Sequence, residues 1–242
     1  MSKYPTREKV CQSDLGELRE YPELTQELLF YRGIKTAGDA REFLNPNYDD
    51  HIHDPFLLKN MDKAVGRILS AIEKKEKIII YSDYDCDGIP GGVVLHDFFK
   101  KIGYKNVSNH IPHRHKDGYG FHASAVEEFA KDDVKLIITV DCGIADVESV
   151  DCADKLGVDV IITDHHLVGK KLPKAYAVVD PKQDGDKYPY KDISGSGVAF
   201  KLVQGLLEKG NFDIKEGWEK WLLDMVGLAT VADMVPLVGE NR

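Results

Sequence analysis

The chain has 242 residues, 43% hydrophobic and 30% charged, with 41 Asp and Glu against 32 Lys and Arg, a formal charge of −9. That balance is ordinary for a globular protein with a sizeable core, no apolar run reaches the length needed to span a bilayer, and the N-terminal MSKYPTREKV lacks an apolar signal core. The acidity argues only weakly against a nucleic-acid partner, because a metal site concentrates carboxylates and its bound cations return positive charge where a substrate lies.

Residues 1–74 read as a helical, loop-rich lead-in. An amphipathic helix is predicted over Glu23–Arg32, a short one up to Leu44 with Thr36 as its N-cap, and a third over Asn60–Lys75. Asn45-Pro46-Asn47 and Asp54-Pro55 punctuate the loop between them. No catalytic signature falls here, and packing against the rest of the chain, residues 75–242, is the role expected of it.

From Lys77 the pattern changes to short β-branched runs separated by helix-length intervals: Lys77–Ser82, Val107–Ile111, Leu136–Val140, Val158–Thr163 and Ala175–Val179. This alternation predicts an α/β fold, a mostly parallel sheet flanked by helices, in which functional residues gather beyond the carboxyl ends of the strands. Asp83, Asp85 and Asp87 follow one run, Asp141 another, Asp164-His165-His166 a third and Asp180 a fourth. A glycine-led helix then opens at Gly195-Ser196-Gly197, and a last apolar helix, Trp218–Thr230, delivers Asp233. The chain stops at Glu240-Asn241-Arg242 without the tail of a finished domain, which predicts a piece of a longer protein. Cys11, Cys86, Cys142 and Cys152 form no CxxC pair, and two lie inside acidic motifs, which predicts reduced thiols and a cytoplasmic setting.

Each motif has a plain reading beside the chemical one. A polar turn explains one or two aspartates before Gly88; three at a spacing of two, in an extended segment, share one side and repel one another unless a cation holds them. The preceding strand excludes an EF-hand loop, which needs helices on both sides. Asp141 taken alone is an N-cap for a helix starting near Ala145; beside the first motif it becomes a carboxylate bridging two cations about 3.5–4 Å apart. At a strand end, Asp164 would orient an imidazole, one histidine would ligate metal, and the other would face a phosphate oxygen or leaving group. Asp233 alone reads as an acidic cap near Pro236, and Asp180, before Pro181, as a turn residue. The segment from Pro112 to Gly120, with Arg114 and Tyr119, suits a phosphate and a stacked base as well as it suits a solvated loop.

Taken together, these motifs resemble the DHH phosphoesterase superfamily and, within it, the RecJ-like single-strand-specific exonucleases. The resemblance runs through Arg32-Gly33-Ile34, Phe43-Leu44-Asn45-Pro46, Asp83-Tyr84-Asp85-Cys86-Asp87-Gly88, Arg114 with Gly118-Tyr119-Gly120, Asp141-Cys142-Gly143-Ile144, Asp164-His165-His166, Gly195–Leu202 and Ala232–Leu237. It implies that Asp85, Asp87, Asp141, His165 and Asp233 bind a pair of Mn²⁺ or Mg²⁺ ions with Asp83 adjacent as a further ligand. It also implies that His166 contacts the scissile phosphate and that Arg114 and Tyr119 meet the substrate. The activity implied is removal of mononucleotides from the 5′ end of single-stranded DNA in repair and recombination, alongside a single-strand-binding protein and a helicase. Two departures stand out. Ile89-Pro90-Gly91-Gly92 replaces the Thr and Ser that usually follow the first motif, and the DHHA1-type and OB-fold domains that continue such proteins are absent.

The mechanism expected is in-line hydrolysis without a protein nucleophile: two cations lower the pKa of a water, neutralise phosphate charge and stabilise the leaving 3′ oxygen. A histidine among oxygen ligands favours Mn²⁺ over Mg²⁺. Two alternatives stand beside it. One is hydrolysis of short oligonucleotides, cyclic dinucleotides or pyrophosphate by the same core; the other is a non-catalytic replication scaffold, which would be expected to have lost ligands that this chain keeps.

Overall fold

The computed structural model describes residues 8–11 and 13–242. By contacts the chain divides into two compact units, one running up to Ile52 and taking in Val238–Glu240 and Arg242, the other comprising His53–Leu237 and Asn241.

Among its described residues the first unit holds a 3-10 turn, Gly16–Glu20, and the helices α1 (Glu23–Phe30), α2 (Ala37–Leu44) and α3 (Tyr48–His51). Helix α1 ends earlier than its apolar pattern suggests because Gly33 takes a left-handed φ of 81°, letting the Ile34 amide close back onto the Leu29 carbonyl at 3.1 Å. Leu18, Leu29, Ile34 and Ala40 form its small core. Thr36 caps α2 as its sequence position predicts, its hydroxyl accepting from the Asp39 amide at 3.1 Å.

The second unit opens with a 3-10 turn, Pro55–Leu57, and α4 (Met61–Glu73). The contact boundary therefore falls at Ile52, not after residue 74, and α4 groups with the sheet. Its stripe of Met61, Ala64, Val65, Ile68 and Ala71 is buried, and a stripe of that size needs a larger apolar partner than a short helix offers. Asn60 is no ordinary N-cap: it sits at φ 66° and spends its side-chain amide on the Val178 carbonyl, 3.1 Å away.

There follow β1 (Lys77–Ser82), α5 (Gly88–Lys101), β2 (Val107–His110), α6 (Ala123–Lys131), β3 (Val134–Val140), α7 (Val147–Lys155), β4 (Asp159–Thr163), β5 (Ala177–Val179), α8 (Gly195–Lys209), a 3-10 turn (Trp218–Leu222) and α9 (Leu223–Ala232). The predicted last helix is thus a 3-10 turn running into an α-helix. The five strands form one sheet in the order β2-β1-β3-β4-β5, every pair parallel. Register places Ile80 beside Ile138, Ile138 beside Ile161 and Ile162 beside Val178.

Near-continuous burial along β1, β3, β4 and β5 reflects helices on both faces, the reason these strands read as unbroken apolar runs. One face, with Ile79, Tyr81, Ile137, Val160, Ile162 and Val178, packs on Val126 and Phe129 of α6 and Val150 and Ala153 of α7. Alternate residues point the other way, where α4, α5 and α8 contact the strands. Among the described residues no helix is long and apolar enough to cross a membrane, and the four cysteines form no disulfide.

The strand order decides where a site forms. The chain leaves β1 for β2 on one side and returns to β3 on the other, so the connections diverge between the carboxyl ends of β1 and β3. A crevice opens at such a switch point. Asp83 and Asp141 stand on its two sides.

Candidate metal centre

Backbone pairing continues past the strands and fixes the motif residues: the Asp83 amide donates to the Val140 carbonyl, that of Asp141 to Thr163 and that of Asp164 to Val179, at 3.0–3.2 Å. Asp141 holds a left-handed φ of 61°, a conformation aspartate tolerates better than most residues. It does not cap α7, which begins at Val147 with Asp146 at the cap position. That placement excludes the capping alternative for Asp141.

The segment from Asp83 to Gly88 turns instead of running extended, which corrects the expectation that alternation alone aligns its carboxylates. The Asp85 carboxylate folds back to accept the amides of Asp87 and Gly88 at 2.8 and 2.9 Å, so the start of α5 is satisfied without the missing hydroxyl. The carboxylates are brought together by this turn.

Three overlapping groups result: Asp83, Asp85 and Asp141; Asp87, His165 and Asp233; and Asp141, His165 and His166, each offering ligand atoms within 4.8 Å of one another. His165 Nε2 lies 3.1 Å from Asp141 Oδ1, 3.5 Å from Asp87 Oδ2 and 3.7 Å from Asp233 Oδ2. Asp83, Asp87, Asp141 and His165 are all buried. Yet Asp83 Oδ1, Asp141 Oδ1 and both ring nitrogens of His165 have no hydrogen-bond partner among the described residues. Burying such atoms unpaired is costly, and a divalent cation is the partner that suits this donor set.

The charges say the same. Burial, followed by the neighbouring Asp87 and Asp85, pushes the Asp141 carboxyl up to about 10. Burial likewise raises Asp83, with Asp85 adding to it, and raises Asp233 against the lowering influence of His165. Without a cation these carboxylates cannot all be charged together.

Asp164 does a different job. It is fully buried, which by itself raises its pKa, but a 2.8 Å hydrogen bond donated by His166 Nδ1 and the amides of Ile144, His165 and His166 more than offset that and hold it below the usual carboxylate range. The same bond raises His166. Asp164 therefore fixes the proton of His166 on Nδ1 and leaves Nε2 for chemistry outside the pair.

Tyr119 places its hydroxyl 3.4 Å from His166 Nδ1 and 3.5 Å from the Asp141 carbonyl. Its loop is held from behind, with Tyr81 donating to the Gly120 carbonyl and Asp146 accepting the Phe121 amide. The Arg114 guanidinium lies over the Tyr84 ring at 4.5 Å and lowers the Asp83 carboxyl, which places it at the rim of the cluster. All nine sequence-predicted site residues thus converge, Arg114 and Tyr119 at the edge.

Two contributors, Gly195 and Ser196, escaped the sequence. The N-terminus of α8 points at Asp87, whose two carboxylate oxygens accept the Gly195 and Ser196 amides at 2.6 and 2.7 Å, while the Ser196 hydroxyl donates to the Asp87 carbonyl. Gly195 also leaves room for Asp141, since a Cβ there would lie 2.6 Å from the Asp141 Cβ. Asp180 is the turn residue expected, accepting the Lys182 amide at 2.7 Å, but it is fully buried and burial pushes it up to about 7. The Gly-Ser-Gly signal was visible; its target, more than a hundred residues away in sequence, was not.

Fold and site together define an α/β protein with a candidate two-cation centre at the switch point of a parallel sheet. The sequence profile described as DHH family, N-terminal domain, matches residues 77–230, more than half of the chain, and the chain belongs to that family. It is similar to the single-stranded-DNA-specific exonuclease RecJ of Bacillus subtilis strain 168, 43% identical over 238 residues, covering 98% of this chain and 29% of the relative. The RecJ exonuclease of Escherichia coli K12 is 34% identical over 233 residues, 92% of this chain and 39% of the relative. A crystal structure of exonuclease RecJ bound to manganese superimposes with a TM-score of 0.68 at 34% identity, covering 76% of this chain and 46% of that one. RecJ from Thermus thermophilus in complex with Mn²⁺ gives 0.76 at 28% identity, 96% of this chain and 32% of that one. The chain spans between 29% and 39% of the length of these two curated relatives.

Proposed function

We propose that the chain carries the metal core of a single-stranded-DNA exonuclease that releases mononucleotides from the 5′ end. The observation that carries this reading is the sharing of Asp141, whose carboxylate belongs both to the group with Asp83 and Asp85 and to the group with His165. A carboxylate so placed would serve two cations: Asp83, Asp85 and Asp141 would hold one, and Asp87, His165, Asp233 and Asp141 the other. Such a pair, when bound, supplies Lewis acidity for water activation and charge neutralisation at a phosphodiester. The names of the RecJ relatives support single-stranded DNA as the substrate, and their Mn²⁺ complexes support the cation.

The remaining residues act on the substrate. His166 carries a hydrogen-bonding Nε2 toward the phosphate, its ring oriented by Asp164. Arg114 binds a phosphate with a planar, permanently charged group, and the half-exposed Tyr119 ring offers a surface for a base. The α8 N-terminus holds Asp87 in place. A single-strand-binding protein and a helicase that expose the strand are the partners this reading predicts.

The test is hydrolysis of a 5′-labelled single-stranded oligonucleotide with Mn²⁺, beside the matching duplex, a dinucleotide and pyrophosphate, with Asp141→Ala as control. Mononucleotide release from the single strand, lost in the control, is the expected result. Cleavage of only the small substrates would replace the substrate assignment, and full activity in Asp141→Ala would overturn the metal assignment. Mn²⁺ binding measured by calorimetry on the same samples separates a missing metal site from a missing substrate clamp.

A further inference from the structure

At the opposite end of the sheet from the acidic cluster, the amino-terminal ends of β1, β2 and β3 enclose a half-open cleft of about 560 Å³. Five lysines line it, Lys74, Lys75, Lys77, Lys105 and Lys135, in a chain whose net charge is −9. Three acidic residues line it too, and each already faces a cation. Glu76 is bound by Arg67 at 2.7 Å, Asp133 by Lys135 at 2.7 Å, and Asp132 by Lys77 at 3.7 Å. Lys74, Lys75 and Lys105, which all line this cleft, are left with no ion-pair partner among the described residues.

Lysines are usually spread over a surface because like charges repel. Here the backbone forces them together: Lys74 caps and Lys75 follows the end of α4, with Lys75 held at φ 58°, and the Asn106 side chain ties the Lys75 carbonyl to the start of β2 at 2.9 Å. Ser108, exposed on the edge strand, adds a hydroxyl donor to the wall. A concave set of uncompensated ammonium groups with a hydroxyl beside them suits several anionic oxygens at once. The volume lies within the roughly 300–1,000 Å³ typical of small-ligand sites.

We propose that this cleft binds a phosphate-bearing anion of about nucleotide size, at a site separate from the metal centre. Strand β1 alone, six residues long, sets the two ends about 20 Å apart. One ligand could not occupy both unless it were a polymer. The proposal does not depend on the exonuclease reading, since it rests on the opposite pole of the sheet.

The experiment is calorimetric titration of the chain with pyrophosphate in buffer free of divalent cations, where the acidic cluster repels anions. One saturable site is expected, weakened at least about tenfold in the double variant Lys74→Glu/Lys105→Glu and unchanged in Asp141→Ala. Mn²⁺ affinity, unchanged in the double variant, checks that it is folded. Absence of saturable binding, equal affinity in the double variant, or loss in Asp141→Ala would each overturn the proposal. Parallel titrations with thymidine monophosphate and a hexathymidylate assign the phosphate source. Tighter binding of the mononucleotide marks a free nucleotide site, and tighter, strongly salt-dependent binding of the oligomer marks a strand-backbone contact.

Discussion

Replacing Gly195 with alanine separates local helix energetics from the geometry of the metal centre. In the first turn of α8 the exchange favours the helix, because alanine exceeds glycine by up to about 1 kcal/mol in helix propensity. The new methyl, however, would meet the Cβ, Oδ1 and Cγ of Asp141 at 2.6, 2.7 and 2.9 Å. The shortest of these is about 0.8 Å inside the 3.4 Å at which ordinary contact begins, and the obstructing atom is the root of the side chain, not a flexible tip. Asp141 must therefore shift by several tenths of an ångström, whereas ligand distances at a metal are held to about 0.2 Å. The expected result is a Mn²⁺ affinity reduced about 10- to 100-fold, equivalent to about 1.4–2.7 kcal/mol, with a melting temperature of the metal-free protein below that of the parent chain, because the clash with a rigid atom outweighs the gain in helix propensity. Gly197→Ala is the control, since its nearest neighbour would be 3.4 Å away, an ordinary contact. Calorimetry with Mn²⁺ and thermal melts by circular dichroism read both quantities. A Gly195→Ala protein that binds Mn²⁺ within about twofold of the parent would refute the placement of Asp141 as a shared ligand.

Other consequences follow from the same residues. Asp164→Ala should destabilise the fold by about 3 kcal/mol in chemical denaturation, since it strands buried amides and the His166 ring; Asp164→Asn should retain much of that stability and lower the pKa of His166 in an NMR titration. The lowered Asp164 contributes stability that is present above its unfolded value and lost as pH falls through its folded one, and the raised His166 contributes stability that is lost as pH climbs through its raised value. The advantage of the parent over Asp164→Asn should accordingly shrink at alkaline pH, and a constant difference across the range would contradict the pairing. Asp141 has the opposite sign from Asp164: the folded chain retains a proton that the unfolded chain releases above 3.8, so metal-free stability should fall as pH rises toward 10. Thermal melts with a chelator between about pH 5 and pH 9 check this, as does a Mn²⁺ affinity that climbs with pH over the same range as the ion displaces the proton. Tyr84→Leu removes the ring beneath Arg114 and should weaken oligonucleotide binding about 2- to 10-fold while Tyr84→Phe restores it; equal affinities for the two variants, measured by fluorescence anisotropy, would exclude the stacking role.

The elements and the candidate ligands were legible in the chain itself. Apolar runs such as Ile78-Ile79-Ile80 and Val160-Ile161-Ile162 announce strands buried on both faces, because a parallel sheet covered by helices demands unbroken hydrophobicity. Aspartates and histidines at their ends announce a metal because such groups are costly to bury without one. Tertiary structure decided how those ligands meet. Asp83, Asp85 and Asp87 are not aligned by strand alternation but by a turn, since Asp85 takes the amides of Asp87 and Gly88 and reverses the segment. Asp233 joins only because α9 ends beside His165, and Asp87 is held only because α8, beginning at Gly195, aims its amides at it. Local composition fixes what a segment prefers to be; the strand order, with its divergence between β1 and β3, depends on the summed packing of distant segments. That sum cannot be read from any one of them.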